Sequence, residues 1–234
     1  HAEQLRQAGY NIVRPLRTLH EKEQQMVIYP VVRWPVMFDL MRAAETQGGE
    51  TAALVAAERA ECERLLAIYQ ATSATSSAAE HARAPIHQLF WHRLSGGRLR
   101  TFYAGKEVPL PQGGSIAFDD LLSYRWQING VDYAQTLGQL IERATRVLAP
   151  ARASLTVVGH GDAHFGNVFL EKEQRYLYFD PAFAGRHTPL LDIVKPLFHN
   201  IFATWMYFPQ EVMRDLHLSV AVRDNRVSVE HDYQ

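Results

Sequence analysis

The segment VVGHGDAHFGNVFL, residues 157–170, places two histidines, one aspartate and one asparagine within eight residues between two apolar runs. Its Asp162 and Asn167, together with Asp180 further along the chain, supply two carboxylates and one amide oxygen. Such oxygen ligands suit Mg²⁺, which prefers one or two carboxylates together with waters and substrate phosphates. A carboxylate at Asp162 could also orient a hydroxyl and accept its proton during attack on phosphorus. These residue types therefore indicate phosphoryl transfer, which mainly requires positioning and charge neutralisation.

The segments on either side of this loop must bring the three side chains together. LTVVGH, residues 155–160, is typical of a buried strand, and NVFL-EKEQR-YLYF predicts two apolar strands joined by a charged turn. Because a tight hairpin brings its two ends together, Asn167 and Asp180 should be neighbours although 13 residues separate them. The segment LLDIVKPLFHNIFATWMYF that follows predicts a largely buried helix with a kink at Pro196.

HGDAHFGN resembles the catalytic loop of the aminoglycoside phosphotransferase and choline kinase family, in which His-x-Asp is followed by Asn five residues after the Asp. Protein kinases share this spacing, and YFDPAF resembles the segment in which they carry Asp-Phe-Gly. The resemblance implies a kinase that uses ATP and Mg²⁺ to phosphorylate a hydroxyl group of a small molecule. Asp162 would be the catalytic base, and Asn167 and Asp180 would hold the Mg²⁺.

The same resemblance implies supporting roles for other residues. His160 would brace the catalytic loop, and PLLDIVK is similar to a helix start whose aspartate, here Asp192, also braces that loop. MVIYPVV, residues 26–32, resembles the hinge strand that grips adenine through backbone groups. Those groups would be the Tyr29 carbonyl and the Val31 amide, which makes both residues candidates for cofactor binding.

The fold implied by the resemblance is α+β and protein kinase-like, mainly the helical C-terminal lobe with a catalytic-loop β-hairpin. Residues 1–33 would be a remnant of the N-terminal lobe and hinge, and residues 34–234 the helical lobe, with an insert at about 72–135. We expect most of the N-terminal lobe to be missing, and the apolar edge at residues 27–32 to lack partner strands. Mg-ATP should then bind weakly. Two sequence features carry this expectation: no Gly-rich phosphate loop is recognisable, and none of the four lysines lies in a strand before the hinge (Lys22, Lys106, Lys172 and Lys195).

Composition argues against several other classes of function. The 234 residues are 47% hydrophobic and 21% charged, with a net charge of −1, as in ordinary globular proteins. No basic stripe is present, so nucleic acid is not expected as a partner. No apolar run reaches the roughly 18 residues of a membrane span, so no membrane partner is expected either. The single Cys62 and the polar first residues favour a cytoplasmic protein.

Two other functions stay open from the residues alone. A metallohydrolase would use His160, Asp162 and His164 as ligands, because alternate residues of a strand point the same way, but it would leave Asp180 without a role. A non-catalytic kinase-like binding module is the other alternative, because the lysine and the Gly-rich loop are missing. The acceptor is also open, since an acidic pocket would suit an aminoglycoside and an aromatic box would suit choline. The sequence does not define the oligomeric state.

Further local predictions concern the elements around the loop. Residues 50–70 predict a helix with a solvated face rich in Glu and Arg, and residues 71–80 a flexible joint. The helix over residues 132–148 is expected to start at an Asp132 cap. Hairpins are expected around residues 96–97 and over VAVRDNRVSV, with Asp224 and Asn225 at the turn of the second.

Overall fold

The chain is of the α+β class, with 44% of its residues in helices and 23% in strands of small sheets. The computed structural model describes residues 1–232 except 20, 22, 24 and 213–215, so that Lys22 lies outside the described residues. Its mixture of helices and small sheets confirms the predicted α+β class. Within the described part, no helix has both the length and the apolar character needed to cross a membrane.

Helices and short strands are interspersed along the chain. The α-helices are α1 (Ala2–Ala8), α2 (Met37–Gln47), α3 (Ala52–Thr72), α4 (Ala78–Ala82), α5 (Trp91–Ser95), α6 (Arg98–Phe102), α7 (Phe118–Ser123), α8 (Leu137–Val147), α9 (Pro189–Tyr207) and α10 (Pro209–Val212). The strands are β1 (Arg17–Leu19), β2 (Met26–Ile28), β3 (Ala74–Ser76), β4 (Glu107–Pro109), β5 (Ser115–Ala117), β6 (Arg125–Ile128), β7 (Val131–Tyr133), β8 (Ser154–Gly159), β9 (Val168–Leu170), β10 (Tyr176–Tyr178), β11 (Gly185–His187), β12 (Leu218–Arg223) and β13 (Arg226–His231).

The chain forms two compact units, one of residues 1–86 and 151–206 and the other of residues 87–150 and 207–234. The second unit and the insert expected at about 72–135 have residues 87–135 in common. The second unit also contains residues 136–150 and 207–234, whereas residues 72–86 belong to the first unit. Strand β3, which lies in the expected insert, pairs with β8 of the first unit. Helix α8, expected outside the insert, packs against α5 and α7 within the second unit.

The first unit carries the loop of residues 160–167 and the hairpin after it. Strands β9 and β10 pair antiparallel with Val168 opposite Tyr178, which confirms the predicted hairpin. Ile12 pairs with Tyr178 on the outer side of β10, and Val36 pairs with Phe169 on the outer side of β9, each through an isolated β-bridge. The predicted strand before the loop is confirmed as β8, the centre of a three-stranded sheet in the order β11-β8-β3. The hairpin, β8 and the helices α1, α2 and α3 enclose the core (Leu5, Met37, Ile68, Val158, Val168 and Tyr178 among its buried members).

The segment expected to be the hinge is a short strand. Strand β2 ends at Ile28 and pairs antiparallel with β1. The expectation that this edge lacks a partner strand is therefore wrong in part, because residues 17–19 supply one. Tyr29 and Val31 follow β2 outside any strand, and 43% and 86% of their respective surfaces are exposed.

The second unit contains a four-stranded sheet in the order β12-β13-β6-β7. Its core includes Ile116, Leu121 and Val227. Asp224 and Asn225 have φ angles of 49° and 58° at the β12–β13 turn, as a two-residue hairpin turn requires, which confirms that prediction.

The prediction that Asp132 caps the helix over residues 132–148 is wrong. Asp132 lies in β7, where its carboxylate accepts a hydrogen bond from the Arg226 guanidinium at 3.1 Å. Helix α8 begins at Leu137 behind Thr136, which exchanges reciprocal hydrogen bonds with Gln139. This Thr-x-x-Gln capping box satisfies two backbone amides at the helix start.

Three further local predictions are also wrong. Residues 71–80 are ordered rather than a joint, because β3 pairs with β8 and Ser77 caps α4 with a capping box. Helices α5 and α6 flank residues 96–97 in place of a hairpin. Helix α9 is not largely buried, since 76% of Leu190, 60% of Leu197 and 56% of Phe198 are exposed.

Candidate functional site

Asp162 and Asn167 are joined within the loop that follows β8. The Asn167 side-chain amide donates to the Asp162 carbonyl oxygen at 2.9 Å. The Phe179 backbone amide donates to the Asn167 carbonyl oxygen at 3.1 Å, just beyond the paired residues of the hairpin. Asp180 is the next residue, so the hairpin brings the backbones of Asn167 and Asp180 together as the sequence predicts.

The side chains of Asn167 and Asp180 carry oxygen atoms of the types that Mg²⁺ prefers. Asn167 is buried and uses its amide nitrogen within the loop, which leaves its side-chain oxygen for a ligand. Asp180 is exposed and adopts a left-handed backbone conformation with φ at 53°. One carboxylate and one amide oxygen suit Mg²⁺, which retains waters and phosphate oxygens in its remaining positions. Among the described residues no three His, Cys, Asp or Glu side chains form a metal-binding group, so a closed cage made of protein ligands alone is not the expected kind of site.

Asp162 lies in a charged cluster. Its carboxylate accepts a hydrogen bond from the Lys195 ammonium, and 10% of the Asp162 side chain and 24% of the Lys195 side chain are exposed. The His164 Nε2 lies 3.6 Å from the same carboxylate oxygen. The residue expected from the sequence to act as the base is thus largely buried, and one cation is already in contact with its carboxylate.

His160 fixes the shape of the loop through both of its ring nitrogens. Its Nε2 donates to the Phe179 carbonyl oxygen at 2.9 Å, and its Nδ1 accepts from the Asp162 amide at 3.3 Å. Burial lowers the pKa of His160 below its ordinary value, so the ring is neutral and carries its proton on Nε2. His160 therefore ties the loop to the end of the hairpin.

Asp192, in the first turn of α9, fixes the loop by hydrogen bonding. It is fully buried and accepts hydrogen bonds from the Gly161 backbone amide, the Tyr69 hydroxyl and the His187 Nε2, the last at 3.2 Å. Burial alone would raise the pKa of Asp192, but the hydrogen bonds from His187, Tyr69 and Gly161 outweigh it and hold that pKa below its ordinary value.

Two glycines permit this close packing. A Cβ at Gly159 would lie 2.5 Å from both the Asp192 carboxylate and the His187 ring. Gly161 has a φ of +82°, and a Cβ there would lie 2.5 Å from the Phe183 carbonyl oxygen. Glycine is therefore required at these two positions by close packing and, at Gly161, also by the backbone conformation.

Sequence reasoning missed the polar face of α9. Besides Asp192, this face presents Lys195 to Asp162 and places the His199 ring against the His164 ring, with centroids 3.9 Å apart. The neighbouring Asn200 side chain accepts from the Phe165 backbone amide at 2.8 Å. The signal was available, because Asp192, Lys195 and His199 are spaced by three and four residues within an otherwise apolar helix.

The two stacked histidines are neutral. Burial lowers the pKa of His164 to about 4, with a smaller contribution from His199. Burial likewise lowers the pKa of His199. The His164 Nδ1 accepts from the Gly166 amide at 3.1 Å, so its proton is on Nε2, the atom nearest Asp162.

A cavity of about 590 Å³ lies behind the loop, between α2, α3 and α9. Glu61 lies on its wall and is buried, which makes it an exception to the solvated face expected for α3, where Arg59 and Glu63 are exposed. Burial raises the pKa of Glu61, and its carboxylate accepts from the Tyr178 hydroxyl at 2.9 Å and pairs with Arg64. The cavity wall is otherwise mainly apolar (Met41, Leu65, Phe165, Pro196, Leu197 and Ile201 among its members).

The residues predicted from the sequence thus fall into two groups. The structure brings together Asp162, Asn167, His160 and Asp192 with the backbone of Asp180. Tyr29 and Val31 instead lie in an exposed segment between β2 and α2. Comparison of the chain with protein-family models, with curated proteins and with solved structures finds no match.

Proposed function

We propose that this chain is a kinase-like phosphotransferase lobe that transfers the γ-phosphoryl group of ATP to a hydroxyl group of a small molecule. In this proposal the fold is that of the helical C-terminal lobe of the aminoglycoside phosphotransferase and choline kinase family. Asp162 is the base, Asn167 and Asp180 hold Mg²⁺, and His160 and Asp192 support the loop.

One observation carries the proposal. Asp162, Asn167 and Asp180 lie on a continuous hydrogen-bonded path, from the Asp162 carbonyl to the Asn167 amide, and from the Asn167 carbonyl to the Phe179 amide beside Asp180. This path supports the proposal because it brings the backbones of the proposed base and of the two proposed oxygen ligands together at one end of the hairpin. Phosphoryl transfer needs little from a protein beyond this positioning and the neutralisation of charge.

The reaction assigned to these residues is an in-line displacement. Bound Mg²⁺ would neutralise charge on the nucleotide phosphates. Asp162 accepts a hydrogen bond from the acceptor hydroxyl and receives its proton as the hydroxyl oxygen bonds to the γ-phosphorus. The bond from the γ-phosphorus to the β,γ-bridging oxygen breaks, and ADP leaves with the bonding pair. His160 and Asp192 keep the Asp162 backbone fixed through these steps.

The geometry also bears on the two alternatives. Metal binding by His160, as in a metallohydrolase, conflicts with the hydrogen bonds at both of its ring nitrogens. A non-catalytic kinase-like binding module has one observation in its favour, since the Asp162 carboxylate is already engaged by Lys195. Turnover is the property that separates this module from the proposed kinase.

The test is an assay of ADP release from Mg-ATP with a panel of hydroxylated acceptors, including choline and aminoglycosides. We expect slow transfer to at least one acceptor, and Asp162→Asn should reduce its rate by about 10² to 10⁴ with little change in nucleotide affinity. Asp180→Asn should instead weaken Mg-ATP binding. Asp224→Asn is the matched control, because it makes the same chemical change at an exposed turn of the second unit.

The outcomes separate the proposed kinase from its alternative. Acceptor-dependent ADP release that survives Asp162→Asn would refute the role of Asp162. Mg-ATP binding without transfer to any acceptor would favour the binding module.

A further inference from the structure

Helix α9 reverses the usual arrangement of polar and apolar side chains. Lys195 is directed towards the loop, whereas 47% of Val194, 60% of Leu197 and 56% of Phe198 are exposed. Lysines normally stay in water, and apolar side chains are normally buried. Burying part of an ammonium also costs desolvation energy that one ion pair recovers only in part. Packing stability alone therefore gives no reason for the position of Lys195.

The ion pair leaves donors free at the place where a phosphoryl group would be transferred. A lysine ammonium has three donors and no acceptor, and the Asp162 carboxylate occupies one of them. The nearest histidine is neutral and adds no charge, because burial lowers the pKa of His164 to about 4. Lys195 is thus the cation beside the base, and it can contact Asp162 and a neighbouring anion at the same time.

We propose that Lys195 binds the transferred phosphoryl group, contacting a non-bridging γ-phosphate oxygen of ATP while it holds the Asp162 carboxylate. This inference rests on the proposed function and extends it to a residue of α9. Charge develops over the γ-phosphoryl oxygens during transfer, and fixed cations at such positions are a major source of catalysis. Lys195 keeps its proton throughout, while the hydroxyl proton passes to Asp162.

The placement on α9 is suited to this role. Asp192, one turn earlier on the same face, accepts a hydrogen bond from the Gly161 amide, so the same helix positions both the loop and the lysine. Lys195 has no fixed partner in this cluster other than the Asp162 carboxylate among the hydrogen bonds of the described residues. A long, partly exposed side chain of this kind can reach a phosphate oxygen with its remaining donors while it keeps its contact with the Asp162 carboxylate.

The test compares the affinities of Mg-ATP and Mg-ADP for the whole chain by titration calorimetry, since only ATP carries the γ-phosphate. Lys195→Met should weaken Mg-ATP binding about tenfold and leave Mg-ADP binding unchanged. Lys195→Arg, which keeps the charge, should retain most of the preference for ATP. Lys106→Met is the matched control, because it removes the same charge from an exposed site of the second unit. Binding of Mg-ADP also reports whether each variant is folded.

The outcomes distinguish this inference from the proposed function. If the wild-type chain binds both nucleotides and Lys195→Met leaves the ratio of their affinities unchanged, Lys195 has only a structural role and this inference alone fails. An equal loss of both affinities would point to the same structural role. If the wild-type chain binds neither nucleotide, the proposed function fails, and this inference fails with it.

Discussion

Replacing Asp192 by alanine should remove the main support of the loop of residues 160–167. The substitution removes the acceptor for three donors: the buried Gly161 amide and His187 ring, and the partly buried Tyr69 hydroxyl. A buried donor without a partner costs about 1–3 kcal/mol, and relaxation recovers part of the sum. We therefore expect Asp192→Ala to lower the free energy of unfolding by roughly 3–5 kcal/mol, a large part of the total stability of an ordinary domain.

Two measurements test this expectation. Urea unfolding gives the loss of stability, and Tyr69→Phe, which removes only one of the three donors, should cost about 1 kcal/mol. Hydrogen exchange observed by NMR should show faster exchange of the Gly161 amide in Asp192→Ala under native conditions, because its acceptor has gone.

The pH dependence of the Asp192 contribution has a defined sign. The native pKa of Asp192 is held below its ordinary value of 3.8. Its stabilisation is therefore complete above about pH 4 and is lost as the pH falls through the lower native value. The difference between wild type and Asp192→Ala should be constant near neutral pH. A loss of less than 1 kcal/mol, or unchanged Gly161 exchange, would refute the bracing role.

Two further predictions concern the same loop. Gly161→Ala should destabilise the chain by roughly 2–4 kcal/mol, because it combines a positive φ with a clash against the Phe183 carbonyl. Gly97→Ala, at a left-handed position with φ of 79° and ψ of 0° and no atom within 4 Å of the new Cβ, should cost only about 1 kcal/mol in the same urea unfolding experiment, and equal costs would contradict the clash. The native pKa of His164 is lowered to about 4. Between that pH and about 6.5, the unfolded chain therefore binds a proton at this histidine that the native chain does not bind. Stability should then fall by roughly 1–2 kcal/mol as the pH drops from about 6.5 towards 4, and His164→Asn should flatten this slope in unfolding curves at several pH values.

The local elements around the loop could be predicted because their signals are local. Two apolar runs separated by a charged turn define the β9–β10 hairpin, and left-handed turn residues define the β12–β13 hairpin. The cap of α8 was missed because Asp132 and Thr136 are both good caps. Only the pairing of β7 with β6, which is a tertiary feature, excludes Asp132.

The partners of the loop could be predicted only in part. The resemblance predicts the role of Asp192, whereas the largely apolar pattern of α9 does not by itself indicate that Lys195 and His199 face the loop. The direction of the polar face of α9 depends on how the helix packs, and the apolar residues of this helix are partly exposed rather than buried. The burial of Glu61 does not follow from the helix pattern, because that pattern does not reveal that the Tyr178 hydroxyl donates to its carboxylate.

The most direct test of the proposed site is paramagnetic broadening of backbone amide NMR signals by Mn-ATP, with Mn²⁺ in place of Mg²⁺. We expect broadening centred on Asn167, Phe179 and Asp180 that requires the nucleotide, disappears in Asp180→Asn and persists in Asp162→Asn. Broadening centred on another part of the chain, or broadening at these residues that Asp180→Asn leaves unchanged, would contradict the assignment of the hairpin end as the Mg-nucleotide site.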